Sequence, residues 1–309
     1  HVCFLGTAAA LPTPLRNPSC IMVRRGHDTL LFDCGEGTQQ QMMRARTGFL
    51  VDGIFITHWH ADHFLGVFGL AQTLSFMGRT EPLTIYGPEW VAEVASAVKS
   101  LARHNIRFPV IPVELRPGSV VRFDGYVVRA FETVHGMAGL GYVLCEDSRP
   151  GRFNRQKAIE LGVPPGPLFG RLQRGETVRI VRDGDTVEVH PGEVMGPPRP
   201  GRKVVYTGDT RPVHARIADI AKGADLLVHD ATYDDSARDR AEETLHSTAG
   251  EAGEAAASLG AGTLALVHIS SRYTTVAGHM RDAQARFPGR VIIPSDLEMI
   301  EIPYQDSRE

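Results

Sequence analysis

Four groups able to hold a metal ion crowd into six residues: His58, His60, Asp62 and His63, in the stretch FITHWHADH at 55–63. Imidazole nitrogen and carboxylate oxygen are donors that suit Zn²⁺, at about 2.0–2.2 Å. So closely spaced, the four side chains cannot all complete one tetrahedron without strain. On an extended backbone, residues 58, 60 and 62 project to one side and His63 to the other, which suits two adjacent ions. Two-ion sites set their metals roughly 3.5–4 Å apart and share an oxygen ligand between them. Two ions need further donors, and three residues follow apolar runs in the right way: His135 after YVVRAFETV, Asp209 after KVVYTG, and His268 after TLALV. Sheet enzymes gather ligands beyond their strand ends. Any one of these three reads more readily as a structural residue. Joined to the dense loop they make seven donors, with positions left over for water or substrate.

Such a constellation needs strands whose ends meet. Short β-branched or apolar runs recur at 2–6, 20–24, 29–33, 53–57, 83–86, 126–131 and 141–145, and again at 203–207, 225–229, 263–268 and 291–294; each is short enough for a strand. Stretches of helical composition lie between them at 37–47, 66–78, 88–103, 213–222 and 247–259. Pro88 suits a helix start and Ser247-Thr-Ala-Gly-Glu a capped one. The mixture predicts an α/β protein with sheets covered by helices.

The span from about 146 to 202 breaks the rhythm with eight prolines, among them Pro164, Pro165 and Pro167, and separates two strand-rich halves. Segments of this kind are functional loops or linkers. RDGDTVEVHPGEV within it reads as a small strand pair rather than disorder. It is expected to be an insertion that projects from the body. Charge is also uneven. The whole chain carries a net charge of −3, yet from Arg149 to Lys203 eleven Lys/Arg face six Asp/Glu. This excludes a uniformly basic nucleic-acid binder and leaves one segment suited to meet a polyanion.

With 42% hydrophobic and 22% charged residues, the 309-residue chain has the composition of a globular enzyme. No apolar run approaches the roughly 20 residues that span a bilayer, and the first residues lack the pattern of a signal peptide. His1 is not an initiator Met, so a few residues are expected to precede it. Cys3, Cys20, Cys34 and Cys145 are scattered without a CxxC pair, so they suggest neither a disulfide framework nor a thiolate zinc site. A cytoplasmic location is expected, without contact with a membrane.

The HxHxDH loop in this setting resembles the metallo-β-lactamase superfamily. Further segments narrow the resemblance to the ribonuclease Z family, the tRNA 3′-processing endonucleases: LGT at 5–7, LFDCGEGTQ at 31–39, YTGDTR at 206–211, HST at 246–248 and HISSRY at 268–273. The stretch GVPPGPLFGRLQRGET at 162–177 resembles that family's substrate-binding arm. The match runs through essentially the whole chain in the family's order. It implies a single domain over 1–309 with the metallo-β-lactamase αββα sandwich and an inserted, protruding substrate-binding arm at about 146–202.

By the same resemblance, two zinc ions per subunit are expected, one on His58, His60 and His135 and the other on Asp62, His63 and His268, with Asp209 bridging. Manganese or iron can occupy similar donor sets. The implied substrate is precursor tRNA, cut to leave a 3′-hydroxyl on the tRNA and a 5′-phosphate on the trailer. Asp62, His246 as general acid and Asp230 as its carboxylate partner are the implied catalytic residues; Asp230 stands where the family usually has Glu. The loop PTPLRN at 12–17 matches the family's PxKxRN with Pro14 in place of Lys. Arg16 and Asn17 in it, Ser270 and Arg272 beyond His268, and Arg171 and Arg174 in the arm are the candidate phosphate or RNA contacts. A homodimer is implied, one subunit's arm gripping the tRNA that the other cuts.

Two other functions fit parts of the pattern. A dinuclear hydrolase of small esters, thioesters or phosphodiesters would need the metal donors but not a basic arm. A metal-dependent RNA-binding protein without catalysis would need the arm but not His246.

Overall fold

Alternation along the strands sorts the apolar residues onto two faces, and this builds the layers. In the computed structural model, which describes residues 1–101, 106–182 and 184–304, one seven-stranded sheet runs in the order Met299–Ile300, Val2–Gly6, Cys20–Arg25, Asp28–Phe32, Gly53–Phe55, Leu83–Gly87, Val110–Glu114. A second runs Arg290–Ile292, Thr263–Val267, Leu226–Asp230, Lys203–Tyr206, Leu140–Glu146, Tyr126–Glu132, Val120–Phe123. Val2, Phe4, Leu30 and Phe32 of the first sheet share one core with Val128, Tyr142, Val204 and Val228 of the second, so the sheets face each other. The alternate residues Cys3, Leu5, Leu31 and Ile54 turn outward, onto a cluster with Met42, Val67, Leu70 and Val98 of helices Thr38–Arg44, Gly66–Phe76 and Val91–Leu101. Val205, Leu227, Leu264 and Leu266 do the same against helices Ala249–Leu259 and Ala277–Gln284. The layers are therefore α, β, β, α.

Each sheet contains a parallel block. Asp28–Phe32, Gly53–Phe55, Leu83–Gly87 and Val110–Glu114 run together, as do Lys203–Tyr206, Leu226–Asp230, Thr263–Val267 and Arg290–Ile292. The expected metal donors Asp209 and His268, and the dense loop, lie just past the carboxyl ends of three of these strands.

Several local expectations need correction. The 213–222 stretch forms helix only at Ala218–Ala221. Helix Ala277–Gln284 and strands Val110–Glu114 and Val120–Phe123 were not expected; the helix carries too few large apolar residues for a clear period, and the two edge strands are largely exposed. The 88–103 helix spans Val91–Leu101, and Arg103 lies outside the described residues. The Ser247-Thr signal marks a true start: Thr248 caps helix Ala249–Leu259 in a box with Glu251.

Residues Glu146–Gly201, with Tyr304, form a separate compact unit. It holds helices Arg155–Glu160 and Pro167–Gln173 and the hairpin Val178–Arg182 with Asp185–Val189, and Ala158, Val163, Leu172, Val178 and Ile180 make its own core. Among the described residues no helix is long and apolar enough to cross a membrane.

Candidate metal centre

In the loop after Gly53–Phe55, His60 is extended, with a ψ of 142°, and Ala61–Phe64 then makes one helical turn. An extended run through residue 63 is therefore not what forms. The turn swings Asp62 away from His58 and His60 and brings it beside His63. As a result, donor atoms of His58, His60, His135 and Asp209 all lie within 4.8 Å of one another, and so do those of Asp62, His63 and His268.

Separations inside the groups are close to those of ligands around one ion. His60 Nδ1 is 3.0 Å from His58 Nε2 and 3.2 Å from His135 Nε2. Two ligands at a tetrahedral zinc lie about 3.3 Å apart, given bonds near 2.0 Å. Asp62 Oδ2 is 3.4 Å from both His63 Nε2 and His268 Nε2. Asp209 Oδ2 faces both groups: it is 3.2 Å from His63 Nε2, 3.3 Å from His268 Nε2, 3.7 Å from His58 Nε2 and 3.9 Å from His135 Nε2. Gly208 lets the chain turn into this position with a φ of +59°, and a Cβ there would lie 2.7 Å from Thr57 Cγ2.

The far side of four rings decides which nitrogen faces inward. His63 Nδ1 lies 2.7 Å from the Asp33 carboxylate and His135 Nδ1 lies 3.0 Å from the Leu245 carbonyl, so both donate. Thr57 gives its hydroxyl proton to Asp33 and accepts from His58 Nδ1 at 2.9 Å. Thr232 gives its proton to Asp230 and accepts from His268 Nδ1 at 2.8 Å. Each of these four rings therefore turns an Nε2 lone pair toward the carboxylates. Buried lone pairs and carboxylates converging at such distances require a cation or protons among them. His63 Nε2 and Asp209 Oδ1 are buried with no hydrogen-bond partner. This donor chemistry, with each ring braced from behind, fits a pair of divalent ions.

Asp33 was missed as a site residue, although it stands in the quoted LFDCGEGTQ segment. Fully buried, it also accepts from the Thr57 amide at 2.7 Å and from the Tyr206 hydroxyl at 2.7 Å. A carboxylate after an apolar run is the only local signal it gives, and that signal does not distinguish it from a turn residue. Both Asp33 (φ 59°) and His268 (φ 60°) hold left-handed backbone, a strain that collects at functional sites.

Beside the second group lies His246. Its Nδ1 is 3.0 Å from Asp230 Oδ2, and its ring stacks on His268 with centroids 5.1 Å apart. Burial opposes charge on the ring, but the Asp230 carboxylate outweighs it and raises the pKa to about 9. Arg211 braces this segment, donating to the His246 carbonyl at 2.6 Å and to Glu251 Oε2 at 2.8 Å.

The remaining candidates are differently placed. Arg16, Asn17 and Ser270 line one cavity of about 700 Å³. The Arg16 Nη1 donates inward, to Thr7 Oγ1 at 2.6 Å and to the Pro294 carbonyl at 2.8 Å, and Asn17 Nδ2 donates to the Glu36 carbonyl. Arg272 lies over the Tyr233 ring at 5.3 Å. Arg171 and Arg174, in the Glu146–Gly201 unit, both pair with Glu176.

Residues 13–249 match the metallo-beta-lactamase superfamily. Ribonuclease Z of Methanosarcina acetivorans is 52% identical over 307 residues, covering 99% of each chain. Ribonuclease Z of Halorubrum lacusprofundi is 53% identical over 311 residues, covering 100% of this chain and 99% of its own. Among solved structures, the short form of human tRNase Z superimposes with a TM-score of 0.70 at 28% identity, covering 98% of this chain and 99% of its own.

Proposed function

This chain belongs to the ribonuclease Z family of the metallo-β-lactamase superfamily, and we propose that it is the endoribonuclease that removes the 3′ trailer from precursor tRNA with the help of two zinc ions. The products are a tRNA ending in a 3′-hydroxyl and a trailer with a 5′-phosphate. The observation that carries the reading is the two donor groups with Asp209 Oδ2 facing both, and the His246–Asp230 pair beside them.

His58, His60 and His135 would hold one ion, Asp62, His63 and His268 the other, and Asp209 both. The chemistry that divalent ions would supply there is neutralisation of charge on the phosphate oxygens and a more acidic water. The chain's own residues do the rest. Asp33, Thr57 and Thr232 fix ring orientation, so that the donors of His63, His58 and His268 are already aimed at the ion sites. His246, held protonated by Asp230, gives the proton of its outer nitrogen to the departing 3′-oxygen. Asp230 is a positioning residue, since its contact is with the ring.

The Glu146–Gly201 unit is read as the arm that holds the RNA body, supported by the span from Arg149 to Lys203 that covers most of it, where eleven Lys/Arg face six Asp/Glu. A homodimer suits the apolar side chains exposed on helices Thr38–Arg44 and Gly66–Phe76 and just beyond: Met43 at 65%, Phe76 at 81% and Met77 at 62%. Three buried free cysteines suit a reducing compartment such as the cytoplasm.

The test is to incubate the metal-loaded protein with two precursor tRNAs, with and without encoded CCA, and to map the new 3′ ends. Cleavage at the trailer boundary with a 3′-hydroxyl is expected. Turnover of a small chromogenic phosphodiester with no cleavage of either precursor would instead assign a small-substrate hydrolase.

A further inference from the structure

Arginines of the Glu146–Gly201 unit fall in several settings. Arg171 and Arg174 direct their Nε–H groups at the one carboxylate of Glu176, at 2.8 and 3.1 Å, which offsets part of their charge. Arg179, on the hairpin, pairs with Glu188 at 2.8 Å, and Arg149, Arg152 and Arg199 lie where residues 149–153 run antiparallel to 195–199. Arg149 and Arg199 exchange both backbone bonds, at 2.7 and 2.9 Å, and Gly196 N donates to the Arg152 carbonyl at 2.8 Å. Gly151 permits this approach, since a Cβ there would lie 1.9 Å from the Gly196 oxygen. Between these segments and the Pro165-Gly166 turn opens a cavity of about 890 Å³.

Its lining includes Arg152, Arg155, Arg199, Phe153, Phe169 and Gln173, and among the described residues contains no Asp or Glu. Phe153 and Phe169 are half-buried, their rings packed at 5.0 Å and tilted 54°, so a fixed aromatic surface meets the space. The volume falls in the range of pockets that enclose a small organic group, about 300–1,000 Å³. Positive charge beside rigid aromatic faces is the chemistry of a splayed nucleotide, whose base stacks while its phosphates meet guanidinium groups. A base inside a closed helical stack cannot enter such a concavity.

We propose that this cavity captures one unpaired nucleotide of the RNA substrate, its base against Phe153 and Phe169 and its phosphates toward Arg152, Arg155 and Arg199. The proposal rests on the reading of this unit as the RNA-holding arm.

The experiment measures binding by fluorescence anisotropy, using the metal-loaded full chain in a His246→Ala background so that RNA is not consumed. The probes are a labelled precursor tRNA and a blunt RNA duplex. Arg152→Ala/Arg155→Ala is expected to weaken tRNA binding at least tenfold and to lower the salt slope by about 1–2. Phe169→Leu keeps an apolar side chain in place; it should weaken tRNA binding roughly fivefold or more and duplex binding far less. Equal losses for tRNA and duplex would overturn base capture. Unchanged binding in both variants, with a loss in Arg171→Ala/Arg174→Ala, would overturn the cavity and leave the arm standing. No loss in any of the three would overturn the arm reading as well.

Discussion

His246 Nδ1 lies 3.0 Å from Asp230 Oδ2, and that same oxygen accepts the backbone N–H groups of Thr210 at 3.1 Å and Ser247 at 3.3 Å. The other oxygen accepts from Thr232, through its amide at 2.9 Å and its hydroxyl at 2.7 Å. Asp230 is fully buried, so its pocket is already built around the shorter carboxylate and the contact with His246 is made without the extra methylene of Glu. Loss of a positioned acid costs about 10²–10⁴-fold in rate. His246→Ala should therefore lower kcat on precursor tRNA by that order and leave RNA affinity nearly intact. Asp230→Glu should not improve the enzyme, because an added methylene in a filled pocket costs about 1–3 kcal/mol; urea denaturation and single-turnover cleavage check both.

The same pair has a pH signature in chelator-treated protein. The folded His246 pKa of about 9 lies above the ordinary value near 6.5, so its contribution is complete below pH 6.5, declines from there and is gone above about pH 9. A shift of this size corresponds to about 3 kcal/mol. The stability gap between wild type and His246→Gln should narrow by up to that amount from pH 6.5 to 9.5. A gap that stays constant would mean the ring is not held charged.

Asp209 Oδ2 approaches His63 and His268 at 3.2 and 3.3 Å and faces the first group as well. Asp209→Ala should lower metal content below two equivalents, measured by elemental analysis after dialysis, and cut turnover of any phosphodiester. A variant that keeps both equivalents would contradict a shared ligand.

Arg16 ties Thr7 to Pro294, and Asp296 accepts from the Asn17 amide at 2.6 Å and Gln41 Nε2 at 2.8 Å. Between these anchors the chain delivers the Ala10 amide to Asp62 Oδ2 at 2.9 Å. Arg16→Ala should destabilise the protein by about 1.5–3 kcal/mol, the range for hydrogen bonds of a charged group. It should also slow a small chromogenic phosphodiester. A defect confined to RNA substrates would make Arg16 an RNA contact instead.

Burial pushes the Cys34 thiol up to about 12 and the Cys3 thiol up to about 11, and raises Cys20 well above the ordinary range. Only Cys145 is partly exposed. At pH 8 no more than one thiol should react quickly with a disulfide reagent, and all four after denaturation. Rapid reaction of two or more in the native protein would show that the helix layer opens readily.

Pattern along the chain points to the candidate donors and to the strands that carry them. FITHWHADH, His135, Asp209 and His268 are legible because each follows an apolar run, and alternation along runs such as VCFLG and KVVYT already encodes a sheet with two buried faces. Local spacing could not divide the donors. Their division depends on the helical turn Ala61–Phe64, which turns Asp62 toward His63 and His268. Nor could it reveal Asp33 or the inward bonds of Arg16, which join residues 30 and 278 positions apart. Side-chain period is a local property fixed by backbone geometry. Ring orientation, the raised His246 pKa and the pairing of Arg171 and Arg174 with Glu176 depend on which groups the fold brings within a few ångströms, and only the tertiary structure decides that.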